Sequence, residues 1–489
     1  MTSTSSPRSA ATDTYRLLWR WHFYAGLFVM PFLSVLAITG TVYCFQPQIE
    51  PLLYPGLLKV QDRGHDRMSW QSLLLRAQQA APKGATVTTA SINTDRTKSA
   101  EFVVRLPEAG SESMYLDPYD GTVLGTLSVE GRFMQQIRMV HRKLLIGKTG
   151  ELLMELAACW TLVMIGTGVA LWWPHRQGTR GAILMPRRAA SGRTWWKELH
   201  AATGIWFALG ALAFVLTGLP WSGFWGRQFK ILTTEAHIGS PAGVWGDPKV
   251  QSKPRASAGS DDAAASHAHH AQPAAPGDDS MPGMVMDDLP LRQTPWAVGE
   301  MRVPQQPGGE PAPGTAAIDI DYVVAIAATH GVRSGYQIVL PKSPAGVFTV
   351  SSFPADPKAE RTLHIDQYSG GVLKDIGYDD YGVAGKAVSY GTSLHMGRYF
   401  GLANQIVCAV ISMSLATLAG TGFWMWWRRR PDGALRAPPQ PAFEPPMRAW
   451  VVGLGIAGAL FPLLGVTLIL VWFVDRRVMR KPVIGANSA

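Results

Sequence analysis

Five long apolar runs restrict what this chain can fold into more than any other feature. They cover residues 23–45, 152–173, 202–225, 403–427 and 450–474. Each run is about as long as the ~20 residues that a helix needs to cross ~30 Å of hydrocarbon. The stretches between them have the composition of water-soluble domains. The sequence therefore predicts an integral membrane protein, an α-helical bundle with four core spans and a fifth span at 449–475.

Positive charge at the ends of these runs predicts the topology. Lys and Arg are concentrated in the short loops 175–197 and 429–448, which places both loops and the amino-terminal tail in the cytoplasm. The formal net charge of +10 is therefore a topology signal and does not indicate nucleic-acid binding. Basic residues after the fifth run contradict this rule. Either that run re-enters the membrane or the other loops dominate the topology, so the side of the C-terminal tail is left open.

The predicted organisation alternates spans with outer domains. In a bacterial cell with two membranes, the spans lie in the inner membrane and the outer domains in the periplasm. In chain order we predict a tail and first span at 1–48, an outer domain at 49–148, a second span at 149–174, a loop at 175–197, a third span at 198–225, a second outer domain at 226–396, a fourth span at 397–428, a loop at 429–448 and a fifth span at 449–475.

The sequence lacks the cysteine motifs of two other cofactor classes. Cys44, Cys159 and Cys408 all lie in apolar runs, and the sequence contains no CxxC or CxxCH. This excludes covalent c-type haem and thiolate-ligated iron–sulfur clusters. GLGIAG at 453–458 matches the residue pattern of a dinucleotide-binding motif. It lies in an apolar run with no strand before it, so it does not indicate nucleotide binding.

An internal duplication relates the two halves of the spanning region. Two outward-going runs share one spacing: a histidine is followed by a glycine four residues later and by a Thr-Gly pair that starts seventeen residues later. The residues are His22, Gly26 and Thr39–Gly40 in the first run, and His200, Gly204 and Thr217–Gly218 in the second. Each of two inward-going runs follows a histidine that precedes Gly-Thr-Gly by twenty-five residues: His141 before Gly166–Gly168, and His395 before Gly420–Gly422.

The outer segments repeat as well. LDPYDGTVLG at 116–125 and HIDQYSGGVLK at 364–374 each predict a β-hairpin. A predicted helix (69–81 and 319–330) and strand (101–106 and 346–353) precede each hairpin. The fold class is thus a membrane helix bundle with two extracytoplasmic α+β domains, internally duplicated. Because both copies have the same orientation, we expect a pseudo-two-fold axis along the membrane normal.

This symmetry turns four histidines into two pairs. His22 pairs with His200 near the cytoplasmic face, and His141 pairs with His395 near the outer face. A single histidine at a helix end is usually a capping or interfacial residue, but ionisable residues at duplicated positions in spans indicate function. Two facing imidazoles can ligate a b-type haem iron, whereas zinc would lack its third and fourth ligands.

The pairs therefore predict two haems b, for which Gly26 and Gly204, one helical turn after their histidines, leave room. The outer pair raises a question of depth. His141 precedes Trp172 by 31 residues, or ~46 Å of continuous helix. Either the helix breaks near Gly147–Gly150, or the outer haem lies at the membrane interface.

Residues 240–317, inside the second outer domain, are rich in Pro, Gly, Ala and Asp, and we expect a disordered insertion. Metal capture, of copper above all, is the alternative interpretation, because soft and imidazole ligands occur together there. These ligands are His267, His269, His270, Met281, Met284 and Met286. Two other histidines, His330 and His364, are expected at surface positions.

Four histidine-centred motifs carry a family resemblance: WHFYAGLF, MVHRKLLIGKTG ending in GTGVALWWPHR, WKELHAATGIWF, and LHMGRYFGLANQ ending in GTGFWMWWRRR. With them the chain resembles the PepSY-associated transmembrane family, and its outer domains resemble PepSY modules. Some members are siderophore-iron reductases that carry two haems. The resemblance implies that His22, His200, His141 and His395 are the motif histidines, and that electrons pass from the cytoplasmic side to a ferric siderophore or other chelate outside.

Three functions are compared. The leading interpretation is an oxidoreductase that reduces a metal chelate and takes electrons from a membrane quinol or a cytoplasmic reductase, with membrane lipid around its spans. The second is a non-enzymatic PepSY regulator that binds peptide or protease partners, which leaves the duplicated histidines without a purpose. The third is a metal or siderophore transporter, for which duplicated halves are familiar.

Overall fold

A computed structural model describes residues 7–108, 110–173, 184–241, 286–305, 316–429 and 448–478. The chain forms two compact units, and successive segments of the sequence belong to them alternately. A helical unit comprises Met1–Phe45, Ile137–Lys230 and Leu394–Ala489, and a sheet unit comprises Gln46–Gln136 and Ile231–Ser393. This alternation follows from the sequence pattern, because apolar runs are buried together and polar, strand-forming segments form a separate core.

The described elements have the following bounds. The helices are α1 Pro7–Cys44, α2 Gln46–Leu53, α3 Pro55–Leu58, α4 Trp70–Ala80, α5 Phe133–Lys143, α6 Gly147–Trp172, α7 Gly192–Gly218, α8 Trp225–Glu235, α9 Ile320–Thr329, α10 Val383–His395, α11 Leu402–Trp427, α12 Arg448–Leu460 and α13 Pro462–Val478. The strands are β1 Thr86–Ile92, β2 Ala100–Arg105, β3 Ser111–Leu116, β4 Val123–Ser128, β5 Tyr336–Val339, β6 Val347–Ser352, β7 Arg361–Asp366 and β8 Val372–Gly377.

Four of these helices, α1, α6, α7 and α11, are long and apolar enough to cross a membrane. Helices α1 and α7 each pack against both α6 and α11, so the four form a closed ring. Their shared core contains Val29, Cys159, Trp160 and Leu415. Small residues let the helices approach: a Cβ on Gly210 of α7 would lie 3.0 Å from Ile411 of α11. The protein is a multi-pass membrane protein.

The spans α6 and α11 are each separated from the histidine that precedes them. Helix α5 ends at Lys143, and α6 begins at Gly147 after Leu144 and Leu145 adopt positive φ angles of 51° and 60°. In the second half, α10 ends at His395 and α11 begins after Gly401. The helix break predicted near Gly147–Gly150 is therefore confirmed, one turn earlier than expected.

The predicted fifth span at 449–475 is wrong as a single helix. The run forms two short helices, α12 and α13, which meet at the turn before Pro462. A Cβ on Gly465 would overlap the carbonyl of Gly458, so the two helices fold back on each other as a hairpin. Proline starts α13 readily because the first helical N–H needs no partner.

This hairpin lies against α6. Trp450 of α12 contacts Gly166, and Trp160 Nε1 donates to Thr467 Oγ1 of α13 at 3.0 Å. At the turn of the hairpin, Trp225 Nε1 donates to the Leu460 carbonyl at 2.7 Å. The hairpin therefore enters and leaves from the end of α6 at which Trp172 lies.

The sheet unit is one antiparallel sheet of order β4-β3-β2-β1-β5-β6-β7-β8. The predicted strands, hairpins and helices are all present, but the two outer domains share this continuous sheet because β1 pairs with β5. Both halves have equivalent turns: Asp117 Oδ1 accepts from Tyr119 N at 2.9 Å, and Asp366 Oδ1 accepts from Tyr368 N at 2.8 Å. Helices α4 and α9 pack on one apolar face.

The expectation of disorder throughout 240–317 is wrong for residues 286–305. Met286, Trp296 and Val298 are buried there, and Arg292 pairs with Glu101 of β2. Burial opposes ionisation of Glu101, but Arg292 and Arg132 hold the pKa of that carboxyl down at about 2. Met286 is thus a core residue. The other proposed metal ligands of this insertion (His267, His269, His270, Met281 and Met284) lie outside the described residues.

The hairpin predicts that residues 429–447 and the residues after Val478 lie on the same side of the membrane. Green fluorescent protein or alkaline phosphatase fused after residue 440 and after residue 489 should report the same side. A fusion after Gly64, in the sheet unit, should report the other side as a control. Opposite sides for the first two fusions would show that α12 and α13 cross the membrane as one span.

Candidate functional site

Four histidines in the helical unit each bind the hydroxyl of a threonine through Nδ1. The threonine always comes from another helix and always stands in a Thr-Gly pair. The Nδ1–Oγ1 distances are 3.0 Å for His22–Thr167, 2.9 Å for His141–Thr39, 2.8 Å for His200–Thr421 and 2.9 Å for His395–Thr217.

These contacts determine the tautomer of each ring. Each threonine hydroxyl already donates its single proton to a carbonyl one turn earlier in its own helix; Thr167 donates to Val163 at 2.8 Å, and the other three do likewise. The hydroxyl can therefore only accept from the histidine. Nδ1 carries the ring proton, and Nε2 keeps a free lone pair. This is the tautomer that a metal-ligating histidine with a second hydrogen-bond partner adopts.

Backbone carbonyls support the same assignment. The rings of His22, His141 and His395 also hydrogen-bond to the backbone of Met164, Leu36 and Phe214, each three residues before the corresponding threonine. These bonds favour the protonated ring nitrogen, which is how a carbonyl acceptor acts. These three rings are thus each oriented by two groups of the opposing helix.

The glycine after each threonine makes room for the same ring. A Cβ at the glycine would lie 3.2 Å from the Cε1 atom of His22 for Gly168, and 3.4–3.6 Å from the other three rings. The set consists of Gly40 with His141, Gly168 with His22, Gly218 with His395 and Gly422 with His200. Thr-Gly is thus a recurring cradle: the hydroxyl orients the ring, and the missing side chain admits it.

The cradles are reciprocal within each half of the bundle. Helix α1 provides His22 to α6 and receives His141, which precedes α6, on its own Thr39–Gly40. Helices α7 and α11 exchange His200 and His395 in the same way. Two antiparallel helices therefore fix one histidine at each end of their contact.

The predicted pairing of His22 with His200 is supported by their separation. Their ring centroids are 6.3 Å apart, with planes at 85°. Two imidazoles that share one metal ion have centroids about 6 Å apart, since each metal–nitrogen bond is ~2 Å and each ring contributes ~1 Å more. Among the described residues no third His, Cys, Asp or Glu joins the pair, so the donor set fits the two axial positions of a haem iron.

The second pair, His141 and His395, is half-buried and close enough to interact electrostatically. Burial lowers the pKa of His141 to about 3, helped by His395 and Arg142, and burial lowers that of His395 to about 4. Both rings are therefore neutral at physiological pH, which is the form that ligates metals.

Side chains of α1 and α11 hold the end of α10 in place. Asn404 Nδ2 and Cys408 Sγ donate to the Leu394 carbonyl at 3.0 and 3.2 Å, and Cys44 Sγ lies 3.8 Å from the His395 carbonyl. On the other side, a Cβ on Gly150 would overlap the Lys143 carbonyl at the end of α5. Both outer histidines thus stand on helix ends that their neighbours hold in place.

The remaining predicted positions differ in outcome. Gly26 and Gly204 lie at helix contacts: a Cβ added to Gly26 would lie 3.7 Å from Met164, and a Cβ added to Gly204 would lie 3.8 Å from Leu418. Their role in making room for a cofactor stays a prediction. His330 ends α9 and is partly buried. The surface position predicted for His364 is wrong: the residue is completely buried on β7 and bonds Thr349 at 3.0 Å.

The fold and the site define a class of multi-pass membrane protein in which paired spans present reciprocal histidines. The model of the PepSY-associated TM region matches residues 19–429. The chain therefore belongs to the PepSY-associated transmembrane family, as its motifs indicated. No curated protein matches the chain.

Replacing Gly168 by valine should displace His22, because its Cβ would lie 3.2 Å from Cε1 before the rest of the side chain is added. Overpacking of this kind costs about 1–3 kcal/mol, so we expect a lower melting temperature for the detergent-solubilised protein. Gly453→Val, on α12 with no described atom within 4 Å, is the matched control. Equal melting temperatures for both variants would contradict the cradle.

Proposed function

We propose that this protein is a di-haem b oxidoreductase of the bacterial inner membrane, which passes electrons across the bilayer to a ferric siderophore or a similar metal chelate in the periplasm. The observation that carries the proposal is the set of four histidines whose Nδ1 atoms are held by threonines, which leaves each Nε2 without a proton.

The chain's own histidines would hold the two haems. His22 and His200 would hold one, and His141 and His395 the other. The bound haem iron would supply one-electron chemistry between its ferrous and ferric forms. Thr167, Thr421, Thr39 and Thr217 hold each Nδ1 proton, which keeps each Nε2 available and makes it a stronger donor.

The position of the outer pair supports an acceptor in water. His141 lies on α5 and His395 at the end of α10, and both precede the spans that follow them. A charged metal chelate is too polar to enter the hydrocarbon region. An electron donor group near the end of the bundle would meet such an acceptor at the membrane surface. The choice of ferric siderophore as acceptor rests on the family resemblance.

The absorption spectrum of the purified protein tests the cofactor directly. We expect a Soret band and about two haems per chain in the pyridine haemochrome assay. His22→Ala and His395→Ala should each remove about half of the haem while the other spectrum persists, because the two pairs are separate sites. A wild-type protein that folds in haem-replete cells but stays colourless would refute the proposal.

The threonine cradle predicts a second, finer effect. Thr167→Val removes the acceptor for the Nδ1 proton of His22, and loss of such an outer partner typically costs about 10–100-fold in metal affinity. We expect faster haem loss to apomyoglobin and a shifted midpoint potential for one of the two haems. Thr161→Val is the control, since Thr161 is buried on the same helix and, among the described residues, its hydroxyl bonds the Ala157 carbonyl alone, at 2.8 Å. Identical behaviour of the two variants would contradict the assigned role.

A further inference from the structure

A groove between α1 and α11 opens toward the lipid. Met30, Pro31 and Ser34 of α1 and Ala419, Gly420 and Phe423 of α11 line about 290 Å³. Gly420 immediately precedes Thr421, the residue that orients His200 at 2.8 Å. The groove therefore lies one residue away from the cradle of an inner histidine.

The internal duplication shows what such a groove accepts. Gly166 of α6 occupies the position in the first half that Gly420 occupies in the second, because both begin a Gly-Thr-Gly run. The indole of Trp450 lies against Gly166, with ring atoms 3.6 and 3.7 Å from an added Cβ. Among the described residues, nothing comes within 4 Å of the same point at Gly420. The hairpin thus fills one of two equivalent positions with a flat ring and leaves the other open.

Ser34 lines the groove with a hydroxyl that can only accept a further hydrogen bond. Its single proton is already donated to the Met30 carbonyl at 2.9 Å. A ligand that donates a proton from a hydroxyl group would satisfy Ser34 Oγ, whereas a ligand with carbonyls alone would not.

We infer that this groove binds the ring of a lipid-soluble quinol, which serves as the electron donor of the protein. The groove lies between two spanning helices, so a molecule dissolved in the bilayer can reach it. Its flat ring would take the place that Trp450 takes in the other half, and one of its hydroxyls matches the Ser34 acceptor. The donor role rests on the proposed function. Oxidation of one quinol to the quinone would release two protons to water and two electrons, which two ferric haems held by the protein would accept, one each.

Photo-crosslinking of the full chain in nanodiscs tests the binding without requiring any bound haem. The probe is an azido-benzoquinone reduced to its quinol under anaerobic conditions, and crosslinked peptides are mapped by mass spectrometry. We expect labels on residues 30–34 and 419–423 that decylubiquinol competes away. Gly420→Trp should abolish this labelling by filling the groove, whereas Gly453→Trp, the same change on lipid-facing α12, should not. Labels spread over all lipid-facing helices, or unaffected by Gly420→Trp, would overturn the inference.

Ser34→Ala keeps the inference falsifiable if Gly420→Trp does not fold. Loss of one acceptor should weaken competition by decylubiquinol about fivefold, as expected for one hydrogen bond, and leave competition by decylubiquinone unchanged. Equal effects on the two competitors would contradict recognition of the reduced ring.

Haem reduction separates this inference from the proposed function. In protein that shows a Soret band, decylubiquinol should reduce the haem roughly tenfold more slowly in Gly420→Trp than in the wild type, a change of about 1.4 kcal/mol, while dithionite should reduce both fully. A haem protein that dithionite reduces but decylubiquinol neither labels nor reduces would leave the proposed function standing and refute the groove. A colourless protein that is labelled specifically in the groove, with labels that decylubiquinol competes away, would refute the proposed function and leave quinol binding in the groove standing.

Discussion

The hydrogen bond between a histidine on one helix and a threonine on its antiparallel neighbour is the contact on which the arrangement of the helical unit depends. It appears four times, at 2.8–3.0 Å, between residues separated by 102 to 221 positions in the chain. Inside a membrane an unsatisfied imidazole N–H costs several kcal/mol. Each bond therefore fixes both the register of two helices and the orientation of a ring.

The same contact explains why the spans are built in reciprocal pairs. A helix that carries a histidine near one end and Thr-Gly near the other can exchange both with a partner of opposite direction. Doubling this unit gives each end of the bundle two histidine rings that threonines orient. The sheet unit is doubled by another route, since backbone pairing of β1 with β5 joins the edges of both modules and removes two exposed sheet edges.

Much of this could be predicted along the chain. Hydrophobic length identified α1, α6, α7 and α11, turn residues identified both hairpins of the sheet unit, and equal spacing identified the four histidines. The role of Thr-Gly was missed, although Thr39–Gly40, Thr217–Gly218 and the two Gly-Thr-Gly runs were visible as repeats, because nothing local shows which histidine faces which threonine. Glu155 is a similar case: it is buried in α6, where it accepts from the backbone N–H groups of Phe224 and Trp225 at 2.8 and 3.0 Å.

Sequence alone determined the positions of the four long spanning helices, the duplicated spacing and the four matched histidines, because length, periodicity and spacing are local properties. Only the tertiary structure decided that the last apolar run folds back as a hairpin, that residues 286–305 close over the sheet through Arg292, and that Trp450 fills one groove while its counterpart at Gly420 stays open. Each of these depends on contacts between segments far apart in the chain. Which acceptor, apolar face or opposite charge such a segment meets is determined only when the helices and strands pack together.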